Sequence, residues 1–213
     1  MGSGLMTLRG QARFNVANAM AAALIAHGLS TPLEIIAAGL ASFQSSFEDN
    51  PGRLNIHEID GLKVIVDYAH NPAGLAALGA LVQELRPRHD TVIACVSIPG
   101  DRRDEDILAM GAAATELFDK IVFREKPDGR GRQPGEVLKL LRQGALAAGC
   151  APDRVACIAA ETAAIAACLT RARRGDLVVL LPSDVEAAWR QVIAFHPAAP
   201  LGRARDIETH AHA

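Results

Sequence analysis

The chain has 213 residues, and its 24 acidic and 22 basic side chains give a formal net charge of −2. A balance this close excludes the strong basic field of a nucleic-acid-binding protein. No apolar run approaches the ~18 residues that cross a membrane, and no charged-then-apolar leader is visible, so we expect a cytoplasmic protein without nucleic-acid or membrane partners.

Two helices are predicted first. Residues 14–27 carry a long apolar face. A second helix is predicted over 35–43, started by Ser30-Thr31 as a cap, Pro32 in the first turn and Glu34 as the capping glutamate. Two short helices alone cannot bury their apolar sides. Residues 1–49 are therefore expected to be part of something larger, or to form a homo-oligomer through residues 14–48.

Residues 50–213 are predicted to alternate strands with helices. This order predicts an α/β fold: a Rossmann-like, mostly parallel sheet with helices on both faces, preceded by the short helical segment. Asp60-Gly61 is a tight-turn pair, so the first strand is expected to form an antiparallel hairpin at one edge. The predicted strands are 54–59, 63–70, 91–98, 120–125, 154–159 and 177–183, and the predicted helices are 73–86, 104–118, 134–148, 161–173 and 184–194.

The segment VIVDYAHNPAG, residues 64–74, places polar side chains where the first parallel strand meets a helix. Doubly wound folds bind ligands at this edge, and a helix N-terminus favours anions. Asp67 and His70 are therefore candidate ligand contacts. The alternative is a purely structural turn, in which Asp67 and Asn71 only cap backbone N–H groups.

The order of Pro51-Gly52-Arg53, the hairpin and DYAHNP resembles the opening of the C-terminal domain of the Mur ligase family. Together with FNVANAMAAALIAHGL, GDRRDEDI and GRGRQPGE, it is most similar to the cyanophycin synthetases. The resemblance implies that residues 1–49 end the central ATPase domain and that residues 50–213 form the C-terminal domain. It also implies that ATP is contacted by four residues, Arg53, Asp67, His70 and Asn71.

Three arginines follow the next strands and are candidate substrate contacts. Arg102 follows the second parallel strand, where Asp101 could instead cap the next helix; Arg130 and Arg132 lie in a Gly-rich loop after the third, where a solvated turn is the alternative. The resemblance implies that this loop binds the carboxylate of the acceptor amino acid. The loop lacks the Asn-Pro-Arg of related peptidoglycan ligases, so the acceptor cannot be carried over from them.

The reaction that the resemblance implies is ATP-dependent amide formation with Mg²⁺, in which an amino acid, arginine in cyanophycin synthetase, is joined to a polymer or peptide carboxylate. None of the four lysines lies in a G-x-x-x-x-G-K-[ST] loop. The phosphate loop, the metal ligands and the catalytic residues are thus expected outside this chain, which we predict to be inactive alone. The alternative is a truncated, non-catalytic module that binds a nucleotide or another protein.

Overall fold

A six-stranded mixed sheet with helices on both faces forms the centre of the molecule. The structure is a computed structural model and describes residues 8, 10–43, 45–126 and 128–196. The strands are β1 (Asn55–Ile59), β2 (Leu62–Val66), β3 (Val92–Val96), β4 (Lys120–Phe123), β5 (Val155–Cys157) and β6 (Leu177–Leu180). The helices are α1 (Arg13–Gly28), α2 (Leu33–Ser42), α3 (Pro72–Leu85), α4 (Asp104–Leu117), α5 (Glu136–Ala147), α6 (Glu161–Arg171) and α7 (Val185–Ile193).

The edge hairpin is confirmed. β1 pairs antiparallel with β2, and every other pairing in the sheet is parallel. The connecting turn has Asp60 at φ 49° and Gly61 at φ 83°, which are the left-handed conformations that a two-residue hairpin needs. The predicted fold class is therefore confirmed.

The strand order β1-β2-β6-β3-β4-β5 places the last strand of the chain in the middle of the sheet. From β2 through β3 and β4 to β5, the chain moves in one direction across the sheet. Helices α3, α4 and α5, which connect these strands, pack on one face. The chain then turns back from β5 to β6, and α6 and α7 pack on the opposite face. Right-handed crossovers require this change of face when the direction of winding reverses.

Successive residues of the central strands face opposite cores, as the period of a strand requires. In β3, Val92 and Ala94 pack under α3 to α5, whereas Ile93 and Cys95 pack under α6 and α7. The sheet is thus apolar on both faces, which is typical of a covered parallel sheet. Cys95, expected from its apolar neighbours to be a core thiol, is 1% exposed and free.

Two glycines permit the close crossing of α4 and α5. A Cβ atom on Gly111 would lie 2.1 Å from the carbonyl oxygen of Leu141, and one on Gly144 would lie 2.0 Å from that of Leu108. Because no side chain fits these distances, the two helix backbones touch directly. This contact fixes α4 against α5, and each of these helices follows a loop of the candidate site.

Both predicted N-terminal helices form, but they bury no residue of their own. The bounds of α1 agree with the prediction within one residue, and α2 begins two residues before the predicted range and ends one residue before its end. The predicted capping box is wrong: Pro32 is the N-cap of α2, and no side chain accepts a hydrogen bond there. Ser30 instead adopts φ 64° in the turn. Large hydrophobic side chains of this helix pair and its flanking turns are exposed. We call this set the α1–α2 face: Met20, Leu24, Ile25, Leu29, Leu33, Ile35, Leu40 and Phe43.

The segment that follows α2 is tied to the sheet domain. The buried side chain of Asn55 donates to the carbonyl oxygens of Ser46 and Asn50, and the Phe47 ring stacks on Trp189 of α7 with 4.8 Å between centroids. Residues 45–50 are therefore held to β1 and α7 ahead of the first strand.

Candidate functional site

The first cavity, of about 430 Å³, lies at the carboxyl end of β2. It brings together all four residues predicted to contact a nucleotide: Arg53, Asp67, His70 and Asn71. The start of α1 completes the wall with three residues that the sequence analysis missed: Phe14, Asn15 and Asn18. The signal for the latter two was present, since asparagines three apart lie on one face of a helix.

Arg53 is presented by a tight turn. Gly52 has φ 70°, and a Cβ atom there would lie 2.8 Å from a side-chain carbon of Val185, so glycine is required. Leu54 follows at φ 55°. Its backbone N–H donates to Asp67 across 3.0 Å, so the turn is fixed to the end of β2.

Both carboxylate oxygens of Asp67 accept hydrogen bonds from backbone N–H groups of the protein. One accepts from Leu54, and the other accepts from the backbone N–H of Ala69 at 2.9 Å. Burial raises the pKa of this carboxyl above its usual value, while the two hydrogen bonds and the charge of Arg53 act against the rise. The structural alternative for Asp67 thus describes these bonds correctly, and contact with a ligand stays a prediction.

His70 and Asn71 form the other side of the first cavity. The Nδ1 atom of His70 lies 3.0 Å from the carbonyl oxygen of Tyr68, so Nδ1 donates there and Nε2 is the ring nitrogen left for another partner. Asn71 caps α3 by accepting from the backbone N–H of Gly74 at 2.7 Å. Its amide NH₂ group remains a potential donor beside the helix N-terminus.

The second cavity, of about 400 Å³, lies at the carboxyl ends of β3, β4 and β5. Gly100 and Gly129 approach closely in its wall, since a Cβ atom on Gly100 would lie 2.3 Å from the carbonyl oxygen of Gly129. Both carboxylates and cations line it. The lining residues are Gly100, Glu125, Lys126, Asp128, Gly129, Arg132, Gln133, Pro134, Val137, Ala159 and Ala160.

Arg132 lies in the wall of the second cavity, but its guanidinium bonds to the protein. It donates to the carbonyl oxygens of Gly100 and Arg102 and pairs with Asp104 and Glu136 at 2.7 and 2.6 Å. It therefore joins the loop between β3 and α4 to the loop between β4 and α5. This arrangement favours a positioning role over a free carboxylate clamp.

The other two predicted substrate arginines are more accessible. Arg130 pairs with Asp101 at 2.8 Å, and this contact lowers the pKa of that carboxyl. The exposed Arg102 is not among the lining residues of the second cavity. The helix-capping alternative for Asp101 is wrong, because α4 has Arg103 as its N-cap and no side-chain cap.

A buried ion pair lies at the carboxyl end of β4. The sequence analysis did not find it. Arg124, which directly follows β4, is 1% exposed and pairs with Glu161 at 2.7 Å. Its guanidinium also donates to the carbonyl oxygen of Leu181. Glu161 accepts from the backbone N–H groups of Ser183 and Asp184, so the pair fixes the loop after β6.

Within the described ranges, no three His, Cys, Asp or Glu side chains come together as a metal site. No helix in that part of the chain is long and apolar enough to span a membrane.

A profile of the family described as "Mur ligase, glutamate ligase domain" matches residues 52–184, well over half of the chain. The chain belongs to this family. The matched range begins at the Gly52 turn and ends at the first residues after β6. It includes the second cavity and all of the first except the wall formed by Phe14, Asn15 and Asn18.

Curated relatives of this Mur ligase domain include the cyanophycin synthetases of Nostoc sp., 41% identical over 188 residues, and of Synechocystis sp., 38% identical over 194 residues. These matches cover 88% and 90% of the chain but only 20% and 22% of the relatives. The domain thus spans about a fifth of their length. A 2,6-diaminopimelate ligase of Alkalilimnicola ehrlichii is 37% identical over 134 residues, which are 62% of this chain and 25% of that protein.

Solved structures agree with this assignment. MurF from Acinetobacter baumannii superposes with a TM-score of 0.61 at 20% identity, and the superposed part is 84% of this chain and 38% of MurF. This similarity supports the fold. E. coli FolC, solved in complex with DHPP and ADP, superposes with a TM-score of 0.60 at 26% identity and equal coverage.

Proposed function

We propose that this Mur ligase domain supplies the closing half of an ATP site and an acceptor amino-acid site in an ATP-dependent amide-forming ligase. The observation that carries the proposal is the first cavity, where four residues singled out from the sequence line one space at a strand end. The similarity to FolC, whose structure contains ADP, supports a nucleotide as the occupant.

In the first cavity, Arg53 binds phosphate or ribose oxygens through a permanently charged guanidinium. His70 faces the same ligand with its second ring nitrogen, and Asn71 donates from its amide. Asn15 and Asn18 line the opposite wall on α1, where their amides suit the paired donors and acceptors of a nucleobase edge. Asp67 acts mainly by holding the Leu54 turn that presents Arg53.

The proposed reaction has two steps. A carboxylate oxygen of the donor attacks the γ-phosphorus of ATP, the bond to ADP breaks, and an acyl phosphate forms. The acceptor amine then attacks the carbonyl carbon, inorganic phosphate leaves with the C–O electrons, and the nitrogen releases a proton to solvent. Positioning and charge neutralisation dominate such chemistry. The described residues contain no cluster of three His, Cys, Asp or Glu side chains, and we assign no Mg²⁺ ligand to this domain.

The second cavity is the proposed acceptor site. Glu125 and Asp128 in its wall suit a cationic side chain. Arg102 and Arg130 lie outside the lining, in the loops that contain the lining residues Gly100 and Gly129, and they are the proposed contacts of the α-carboxylate of an amino acid. Arginine combines both charges, and it is the acceptor that the cyanophycin synthetase resemblance implies. A polymer or peptide carboxylate is the proposed donor.

We further propose that residues 1–49 are the end of a central ATPase domain. The α1–α2 face supports this, because its large side chains are 39% to 77% exposed and monomeric proteins rarely leave such a patch uncovered. Without that domain, the same face is expected to associate with a second copy of the chain.

The test uses the complete ligase that carries this domain. His70→Ala and Arg53→Ala should each lower ATP-dependent amide synthesis by roughly ten- to a hundredfold, the equivalent of one charge-assisted contact. The melting temperature should hardly change, because these contacts form only on closure. Arg88→Ala is the matched control. This exposed arginine lies between α3 and the amino end of β3, at the end of the strands opposite to the cavities.

Full activity of both variants at limiting ATP would exclude the nucleotide assignment. Absence of amide synthesis by the unsubstituted enzyme, with ADP still bound by the domain, would instead support a non-catalytic nucleotide-binding module.

A further inference from the structure

Lys126 lies between the two cavities. It lines the second cavity, and its Nζ atom lies 6.0 Å from the centre of the Tyr68 ring, which lines the first. In the proposed reaction, the carboxyl group that is activated must lie between the two cavities, because it receives phosphate from the nucleotide on one side and the acceptor amine on the other. This inference rests on the proposed ligase function.

Lys126 also differs from its neighbours in having no counter-charge. Of the four cations that follow β4, Arg124 pairs with Glu161, Arg130 with Asp101, and Arg132 with two carboxylates. Among the described residues, no carboxylate lies within 4.0 Å of the Lys126 ammonium. Its one recorded contact is the face of an aromatic ring, which is weak at this distance and leaves three N–H donors available.

The electrostatic surroundings favour an incoming anion. Partial burial lowers the pKa of Lys126, and the positive charges of Arg130 and Arg124 lower it further, while Glu161 and Asp101 oppose the shift only in part. An anion bound to the ammonium would replace its lost solvation and offset the repulsion. The pKa should therefore rise when the site is filled.

We propose that the Lys126 ammonium binds the carboxyl group that is being activated and neutralises the negative charge of its acyl phosphate. A compact ammonium with three donors can contact a phosphoryl oxygen and a carboxyl oxygen together. It transfers no proton in this role. The bonds that form and break are those of the two steps given above.

The test uses the 213-residue chain, which has four lysines, at positions 63, 120, 126 and 139. Their side-chain ammonium groups can be labelled and followed by NMR, with signals assigned by Lys→Arg substitutions. Acetyl phosphate is the probe for the acyl phosphate, and inorganic phosphate and acetate are comparison anions. We expect acetyl phosphate to shift the Lys126 signal selectively and to raise its pKa.

Substitutions then separate binding from folding. Lys126→Met should weaken acetyl phosphate binding roughly tenfold to a hundredfold, and Lys126→Arg should retain most of it. Lys139→Met, at an exposed position of α5, is the control and should change nothing. If Lys126→Met lowers the melting temperature, Lys126→Gln provides the comparison at similar volume with a polar end.

Two results would overturn the assignment: a Lys126 signal that acetyl phosphate does not move at millimolar concentration, or an equal response to inorganic phosphate. ADP is titrated separately into the complete ligase, where closure can complete the nucleotide site, and is followed at the His70 ring. Failure of ADP to shift His70 would reject the nucleotide site but would leave the Lys126 result standing, so the two proposals fail independently.

Discussion

Glu161→Gln is expected to destabilise the domain more than Arg124→Met, although the two side chains form one ion pair. The Arg124 side chain is 1% exposed and that of Glu161 is 14% exposed. Neutralising Glu161 leaves a buried positive charge without a partner, which typically costs about 3–5 kcal/mol. Arg124→Met removes that charge, while Glu161 keeps its bonds to the N–H groups of Ser183 and Asp184. What Arg124→Met loses is the hydrogen bonds from the guanidinium to neutral acceptors, which costs about 1–3 kcal/mol in the free energy of unfolding.

The assay is urea unfolding of both single variants and of the double variant. Arg124→Met removes the buried charge that needs Glu161, so in the double variant Glu161→Gln should cost only the bond to one backbone N–H group that the amide cannot accept. The double variant should therefore be less stable than Arg124→Met by about 1–3 kcal/mol, which is less than the sum of the two single losses. Glu105→Gln is the control, because Glu105 pairs with Arg103 at the surface, where both side chains are more than 60% exposed. Its effect should stay within about 1 kcal/mol. Equal losses in the two single variants that add in the double variant would refute this account of the pair.

Three further predictions concern packing, pH and association. Gly144→Ala should destabilise the domain by at least about 1–3 kcal/mol in denaturant unfolding, because the new Cβ atom meets a backbone carbonyl of α4 at 2.0 Å; Gly39→Ala, in an open helical position, should be neutral or slightly stabilising. Burial lowers the pKa of His89, so its neutral form is favoured in the folded state. Stability should thus fall as pH decreases from about 6.5 through that lowered pKa, and His89→Gln should reduce this loss in unfolding curves. The isolated chain should self-associate in light scattering, and Leu24→Lys with Leu29→Lys should make it monomeric; a monomer before substitution would contradict the role of the α1–α2 face.

The sequence predicted the fold because its patterns are local and consistent. Short β-branched runs alternate with Ala- and Leu-rich helical segments, and Asp60-Gly61 has both the residues and the φ angles of its turn. The Ser30 capping box failed for an equally local reason. Pro32 takes the N-cap position, and Ser30 is used in the left-handed turn before it.

The candidate site was predicted in part. Arg53, Asp67, His70 and Asn71 meet in one cavity because a turn, a strand end and a helix cap are adjacent there. Contributions from distant segments were missed, since no local pattern shows that the start of α1 lines the cavity at the end of β2 or that Arg124 pairs with a glutamate on α6. Most bonds of Arg132 were missed for the same reason, because Gly100, Arg102 and Asp104 lie about 30 residues earlier in the chain.

The position of β6 has a consequence for how the protein is made. The strand that lies between β2 and β3 is the last of the six described strands along the chain, so during synthesis this sheet exists as two unjoined parts until residues 177–180 leave the ribosome. The first cavity belongs to the β2 part and the second to the β3–β5 part. Late, non-local pairing of this kind is slow and leaves apolar strand edges open until it completes. A nascent chain paused before residue 177 would therefore expose both edges to chaperones, and its two ligand cavities would be neighbours only after the final strand has inserted.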